Sequence, residues 1–185
     1  LITGNTGFKG SWLSFWMHLS GAKVLGLSIG IPTIPSNFNT LNLNNKINFK
    51  QIDLRNSKEL TNTILRFKPD YIFHLAAEAI VKKAYQNPKY TWETNTLGTI
   101  NVLDALSKIK KNVVAIIITS DKVYKNLEIS RGYHENDILG GYDPYSASKA
   151  SADLAVKSYF RSKLQNKKNI KICIARAGNV IGGGD

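Results

Sequence analysis

The sequence predicts an α/β fold, a doubly wound parallel sheet, and three observations point to it. Short apolar, β-branched runs alternate along the chain with longer segments of helical period. The runs read as apolar on both faces, which strands are when helices cover a sheet on both sides. And a strand-like start passes straight into spaced glycines and then a helical pattern, L-I-T-G-N-T-G-F-K-G-S-W-L.

The strands expected are Leu1–Thr3, Lys23–Ser28, Ile47–Ile52, Tyr71–Leu75, Val113–Thr119 and Ile170–Arg176. Each is a short run rich in Ile, Val, Leu or Phe. The helices expected between them are Lys9–Leu19, Ser57–Phe67, Ala79–Ile109 with a break near Pro88, and Pro144–Lys163. Asn56 followed by Glu59 is a capping-box signature for the second helix. Pro88 should interrupt the third, because proline removes an amide donor and clashes with the preceding turn. Two stretches, Gly30–Lys46 and Asp121–Asp143, lack periodicity and follow strand ends. Ligands of such sheets bind at the carboxyl ends of the strands, so these are candidate site loops.

The glycines carry the first chemical reading. Gly4 permits a tight turn off the first strand, Gly7 lets the backbone approach a phosphate, and Gly10 lets the helix pack on the sheet, with the helix N-terminus facing the anion. The placement predicts a Rossmann-like dinucleotide site. The spacing G-x-x-G-x-x-G is one residue longer at the first gap than the usual fingerprint, and Lys9 lacks the G-K-[ST] order of a P-loop. The second strand ends near Ser28–Gly30 with neither an acid nor an arginine, so NAD is expected over NADP by default, for want of a basic partner to a 2′-phosphate. Asp53, after the third strand, could approach the adenine or simply cap its turn.

Tyr145 and Lys149, in Y-S-A-S-K, share a helix face. An ammonium beside a phenol favours the phenolate, a usable base. The pattern Y-x-x-x-K also occurs at Tyr85/Lys89 and Tyr159/Lys163. The former contains Pro88, and the latter lies about 21 Å further along the helix at 1.5 Å per residue. Only Tyr145 sits at a helix start beside a strand end. T-S-D-K at 119–122 adds a hydroxyl, a carboxylate and an ammonium at the end of the fifth strand, where Ser120 could hydrogen-bond a substrate oxygen that Tyr145 deprotonates.

Composition bounds the rest. The chain has 185 residues, 43% apolar and 21% charged, which suits one globular, soluble domain. No apolar run approaches the ~18 residues of a membrane span, and no signal-peptide pattern opens the chain. Cys173 is the single cysteine, so no intrachain disulfide or cysteine metal cluster can form, a cytoplasmic setting fits, and a buried, inert thiol is expected. The net charge of +12 comes from lysines spread along the chain and gathered where helices end, so neither nucleic acid nor a membrane surface is expected as partner. His74 and His134 read as structural.

The glycine pattern, Ser120 and the Tyr145/Lys149 pair together resemble the extended short-chain dehydrogenase/reductase family. Within it, T-G-N-T-G-F-K-G-S-W-L, T-S-D-K-V-Y, G-G-Y-D-P-Y-S-A-S-K and R-A-G-N-V-I-G-G-G-D resemble the CDP-glucose 4,6-dehydratases over the whole chain. The resemblance implies NAD held by Gly4, Thr6, Gly7, Phe8, Lys9 and Gly10. It places Asp53, Leu54, Leu75, Ala76, Ala77 and Asn95 beside the cofactor, with Lys149 on its nicotinamide ribose. It implies hydride transfer from C4 of the glucose ring while Tyr145 removes the hydroxyl proton. Loss of the C5 proton and C6 hydroxyl follows, with hydride return to C6. Asp121 is then the candidate acid and Lys122 the candidate C5 base, which requires a neutral amine in a closed site. Arg176 and Asn179 would face the nucleotide sugar, CDP-glucose. Where the family often shows A-A-Q-x-L-V-R, this chain has Glu78 and Lys82.

The resemblance further implies that residues 1–185 are the cofactor domain with the catalytic residues, that a few residues are missing before it and a sugar-nucleotide region after it, and that the protein is a homodimer. A 4-epimerase, a dehydratase of another nucleotide sugar, and a non-catalytic cofactor-sensing regulator are the alternatives. The intact Ser120, Asp121, Tyr145 and Lys149 argue against the regulator.

Overall fold

A computed structural model describes all of residues 1–185. Six strands form one parallel sheet: β1 (Ile2–Thr3), β2 (Leu25–Ser28), β3 (Asn48–Gln51), β4 (Tyr71–His74), β5 (Val113–Ile118) and β6 (Ile170–Ala175). Their spatial order is β3-β2-β1-β4-β5-β6. The order reverses at β1, between β2 and β4, and there a doubly wound sheet opens a crevice at its carboxyl edge.

Seven helices connect the strands: α1 (Phe8–Leu19), α2 (Asn37–Thr40), α3 (Ser57–Phe67), α4 (Val81–Gln86), α5 (Pro88–Trp92), α6 (Gly98–Ser107) and α7 (Pro144–Tyr159). The helix at 57–67 matches the expected bounds, because Asn56 accepts from the Glu59 amide at its start and Lys68, at φ 52°, ends it. The third expected helix breaks at Asn87, which caps α5 with Pro88 in the first turn. It then carries a π turn at Glu93–Leu97 before α6, and α7 likewise passes into a π turn at Phe160–Leu164. Gly30–Lys46 is not wholly irregular: it holds α2, capped by Ser36, and a 3-10 turn at Leu43–Asn45, both too short to show a period.

Side chains alternate across each strand, so each face of the sheet builds its own core. On one face Leu60 and Ile64 of α3 and Val102, Ala105 and Leu106 of α6 pack on Leu25, Leu27, Ile72, Val113 and Ala115. Leu103, Ile117 and Val156 extend that layer to α7. Full burial of each Leu, Ile or Val contributes roughly 1.5–3 kcal/mol. On the other face Leu13, Phe15 and Met17 of α1 and Phe38 of α2 cover Ile2, Val24 and Ile47.

That second layer stops short of the β5–β6 half of the sheet. Val114, Ile116 and Ile118 are only half-buried and Cys173 is exposed. The expected buried thiol is thus corrected: β6 is an edge strand, and no helix of residues 1–185 lies over the face that Cys173 presents. The expectation of strands apolar on both faces fails in the same way at the other edge, where Asn48, Lys50 and Gln51 of β3 meet solvent. No helix is long and apolar enough to cross a membrane.

Candidate active site

The carboxyl ends of β1, β4 and β5, with the start of α7, place the glycine turn, the Leu75–Ala77 segment, Ser120–Lys122 and the Tyr145/Lys149 pair at one edge of the sheet. Gly4 leaves β1 at φ +73°, and a Cβ there would stand 2.7 Å from the Ala76 amide nitrogen. A Cβ on Gly10 would stand 2.0 Å from the Gly4 carbonyl oxygen, so α1 can approach the turn this closely only with glycine. At Gly7 a Cβ would meet nothing nearer than 3.4 Å. Gly7 is also the N-cap of α1, with no side chain capping the helix, so the first-turn amides of Phe8, Lys9 and Gly10 are available to an anion. These features fit a dinucleotide pyrophosphate. Thr6 pins the turn to the end of β2, its hydroxyl donating to the Gly30 carbonyl at 2.6 Å.

The floor of the crevice is a buried hydrogen-bond chain. The Ala76 amide donates to Thr3 Oγ1 (3.2 Å), which lies 2.7 Å from His74 Nδ1, and His74 Nε2 lies 3.0 Å from Thr99 Oγ1. Thr99 in turn donates to the Asn95 carbonyl at 2.6 Å. The directions assign His74 as the neutral Nε2–H tautomer, which donates to Thr99 and accepts from Thr3. Burial pushes the His74 imidazolium down to about 3, with the Lys149 charge adding to the effect. His74 is structural, as expected, and the Leu75–Ala77 segment it supports passes against Gly4.

Asn95 lies in the helical segment behind the site. Its Oδ1 accepts from the Glu78 amide (2.8 Å), and its Nδ2 donates to the Glu78 carbonyl (3.1 Å) and Ser148 Oγ (3.0 Å). Both amide protons are engaged within the protein, so Asn95 ties the 75–80 segment to α7 rather than facing a cofactor. It sits in the π turn, whose extra residue turns its side chain toward both partners. Leu54 is core, and its carbonyl accepts from Asn101. Asp53 accepts from the Arg55 amide at 2.9 Å and from its guanidinium, which holds the carboxyl below its ordinary range. Of the two readings left open for Asp53, these bonds are the turn cap.

On the other wall Asp143 caps α7, accepting from the Ser146 amide at 3.0 Å, and so sets Tyr145 in the first turn with Lys149 one turn later. Lys149 is buried and donates from Nζ to the Ile118 carbonyl at 3.0 Å, at the end of β5. Burial pushes its ammonium down to about 8, and the Lys9 cation across the crevice acts in the same direction. Tyr145 is half-buried, and its hydroxyl makes no hydrogen bond within the chain. Neither of the other Tyr/Lys pairs is equivalent. Tyr85 and Lys89 fall on separate helices, and Tyr159 and Lys163 converge on Asp104 at the surface.

At the end of β5, Ser120 caps a 3-10 turn over Asp121–Val123, accepting from the Lys122 amide at 3.1 Å and lying 3.1 Å from Asp121 Oδ1. Lys122 Nζ lies 3.1 Å from Asp121 Oδ2, and the two side chains are 54% and 46% exposed. The closed site expected around Lys122 is therefore absent from residues 1–185: the lysine stands open to solvent as the partner of Asp121. Thr119, the first residue of T-S-D-K, sits beside Ser120 with a buried hydroxyl that has no partner.

Arg176 is the clearest correction. Expected to face the nucleotide sugar, it turns inward: Nε and Nη2 donate to the two Asp153 oxygens at 2.9 and 3.0 Å, and Nη1 donates to Tyr124 Oη and the Glu135 carbonyl, both at 2.9 Å. The wholly buried carboxylate of Asp153 attracts it and holds its charge firmly. Asn179 is exposed in the following loop, which runs past Asp121. Glu78 accepts from the Ile80 amide and Lys82 is exposed.

Comparison with known proteins agrees with this architecture. The family described as GDP-mannose 4,6 dehydratase matches residues 1–183. The chain is 44% identical to CDP-glucose 4,6-dehydratase of Salmonella typhimurium, over 100% of this chain and 52% of that protein. It is 33% identical to dTDP-D-glucose 4,6-dehydratase of Dictyostelium discoideum, over 98% of this chain and 44% of that protein. DesIV, a dTDP-glucose 4,6-dehydratase from Streptomyces venezuelae solved with NAD, superimposes with a TM-score of 0.77 at 26% identity, over 95% of this chain and 54% of that one. The chain spans about half the length of the relatives it matches. A match running through nearly every residue, on a fold shared with solved relatives, makes the chain a member of the GDP-mannose 4,6-dehydratase family, within the extended short-chain dehydrogenase/reductases.

Proposed function

We propose that the protein containing this chain is an NAD-dependent nucleotide-sugar 4,6-dehydratase, a hydro-lyase that converts CDP-glucose to CDP-4-keto-6-deoxyglucose. The observation that carries the reading is the convergence, at one carboxyl edge, of the glycine cradle, the Tyr145/Lys149 pair and the Ser120–Lys122 turn. The 44% identity to a CDP-glucose 4,6-dehydratase favours CDP over other nucleotides.

In this reading the uncapped amides of Phe8, Lys9 and Gly10 hold the pyrophosphate, Lys9 supplies positive charge beside it, and Lys149 holds the nicotinamide ribose. NAD, when bound, supplies the reversible oxidation at C4 that makes the C5 proton acidic. Tyr145 takes the C4 hydroxyl proton, and the buried cation of Lys149 stabilises the phenolate. Ser120 hydrogen-bonds the sugar oxygen. Asp121 gives a proton to the departing C6 hydroxyl, and Lys122 takes the C5 proton once the remainder of the protein covers it and a neutral amine is favoured. The Leu75–Ala77 segment lines the cofactor from the sheet side, and Asn179 faces the sugar nucleotide from the loop after β6. The nucleotide-sugar substrate suits a cytoplasmic enzyme.

We further read the protein as a homodimer, because Leu97, Leu154 and Phe160 are exposed apolar side chains on the packed segments around α6 and α7.

The test is mass spectrometry of the sugar nucleotide after CDP-glucose is incubated with the full-length protein and NAD. Loss of one water is the expected result. An unchanged mass with a changed sugar configuration would instead indicate a 4-epimerase, and no change of either kind would leave a binding protein.

A further inference from the structure

We propose that Arg176 is a positioning residue: it joins α7 to the loop at 121–143 and so sets Asp121 and Lys122 against Tyr145. The proposal rests on the dehydratase reading above. It concerns the relative placement of two groups of side chains that act in different steps.

Three nitrogens of Arg176 donate to four acceptors. Asp153 lies two helical turns beyond Tyr145 on α7, its side chain is wholly buried, and Arg176 binds it in the two-point geometry that fixes a guanidinium plane. The remaining donor, Nη1, reaches Tyr124 near the start of the loop and Glu135 within it. The Tyr124 ring stacks on Tyr133 at 5.1 Å, and the Arg176 guanidinium carbon lies 4.9 Å from its centroid. Tyr124 also bridges to Leu139, and the Lys125 amide donates to the Ile138 carbonyl at 2.9 Å, so one fixed tyrosine orders both arms of the loop.

The residue after Arg176 completes the attachment. The Asp121 amide donates to the Ala177 carbonyl at 3.0 Å. The 3-10 turn that presents Asp121 and Lys122 is thus held at its first residue by the backbone of 177 and immediately after its last, at Tyr124, by the side chain of 176. Lys149 is fixed separately, on the Ile118 carbonyl. Loss of the Arg176–Tyr124 bond should therefore loosen the turn at its Tyr124 end while leaving Tyr145 and Lys149 in place.

This separation predicts unequal effects on the two halves of the reaction. In full-length Tyr124→Phe, water loss should slow about tenfold, the equivalent of one hydrogen bond to a charged group. Reduction of NAD in a single turnover should change less than about twofold on the same scale, so reduced nicotinamide accumulates. Arg176→Lys keeps a cation beside Asp153 but cannot span both partners, and should show the same imbalance. In hydrogen exchange, amides 121–127 should exchange faster in both variants while those of 145–153 stay protected. Equal slowing of both half-reactions, or slowing of neither, would overturn the proposal. If the unsubstituted protein neither reduces NAD nor releases water, the dehydratase reading itself has failed. Exchange then decides the tether alone, and unchanged exchange at 121–127 in Arg176→Lys would overturn it.

Discussion

His74 lies between two threonines with both ring nitrogens engaged, and protonating it would place a donor against the Thr3 hydroxyl that now donates to it. Its conjugate acid is lowered from 6.5 to about 3 by burial, so the folded chain binds this proton less tightly than the unfolded chain does. The stabilisation is complete above pH ~6.5 and is lost as the pH falls toward 3, up to about 5 kcal/mol when both states are protonated. Thermal melts of His74→Gln between pH 7 and 4 should fall less steeply than those of the unsubstituted chain. Parallel slopes would show that the imidazole does not carry the acid sensitivity. Arg176 and Asp153 make the complementary case, in which burial and pairing occur together and the charge is retained.

The junction of β1 and α1 separates two demands that the sequence pattern merges. Gly10→Ala should unfold the chain or cost more than ~3 kcal/mol, because its Cβ would overlap the Gly4 backbone. Gly7→Ala should leave the melting temperature nearly unchanged and weaken NAD binding at least about tenfold, since its Cβ stands free inside the chain but at the mouth of the anion site. Calorimetric titration of the two variants checks this, and equal losses of stability would refute it. Elements whose ends are written locally were legible: α3 by Asn56 and Glu59, the α4/α5 break by Pro88, the start of α7 by Asp143 and Pro144. Features set by distant partners were not. Arg176 is drawn inward by a carboxylate 23 residues away, Asn95 by a carbonyl 17 away, and the openness of Cys173 depends on which helices cover an edge. No local window records those pairings. The placement of 119–122 and 145–149 was legible because strand ends and helix starts fix where such groups emerge.

Across the whole molecule the two sheet faces are covered unequally, and Leu97, Leu154 and Phe160 are exposed apolar side chains on the segments around α6 and α7. If Leu97 and Leu154 meet their copies in a homodimer, full-length Leu154→Glu should convert the dimer to monomer by light scattering while the near-ultraviolet dichroism of the fold persists. A dimer of unchanged mass would remove α7 from the interface. The position of β1 at the sheet centre also has a consequence for how the chain is made. Thr3 pairs with His74, 71 residues further along. A ribosome adding roughly 5–20 residues per second needs about 4–14 s to supply that partner. During that interval β1 can pair on one side alone, and the Gly4 turn has no Ala76 to rest on. The seat for the cofactor is thus begun with β1 and finished only after β4 has left the tunnel, so a nascent chain halted before Ala76 should hold no NAD.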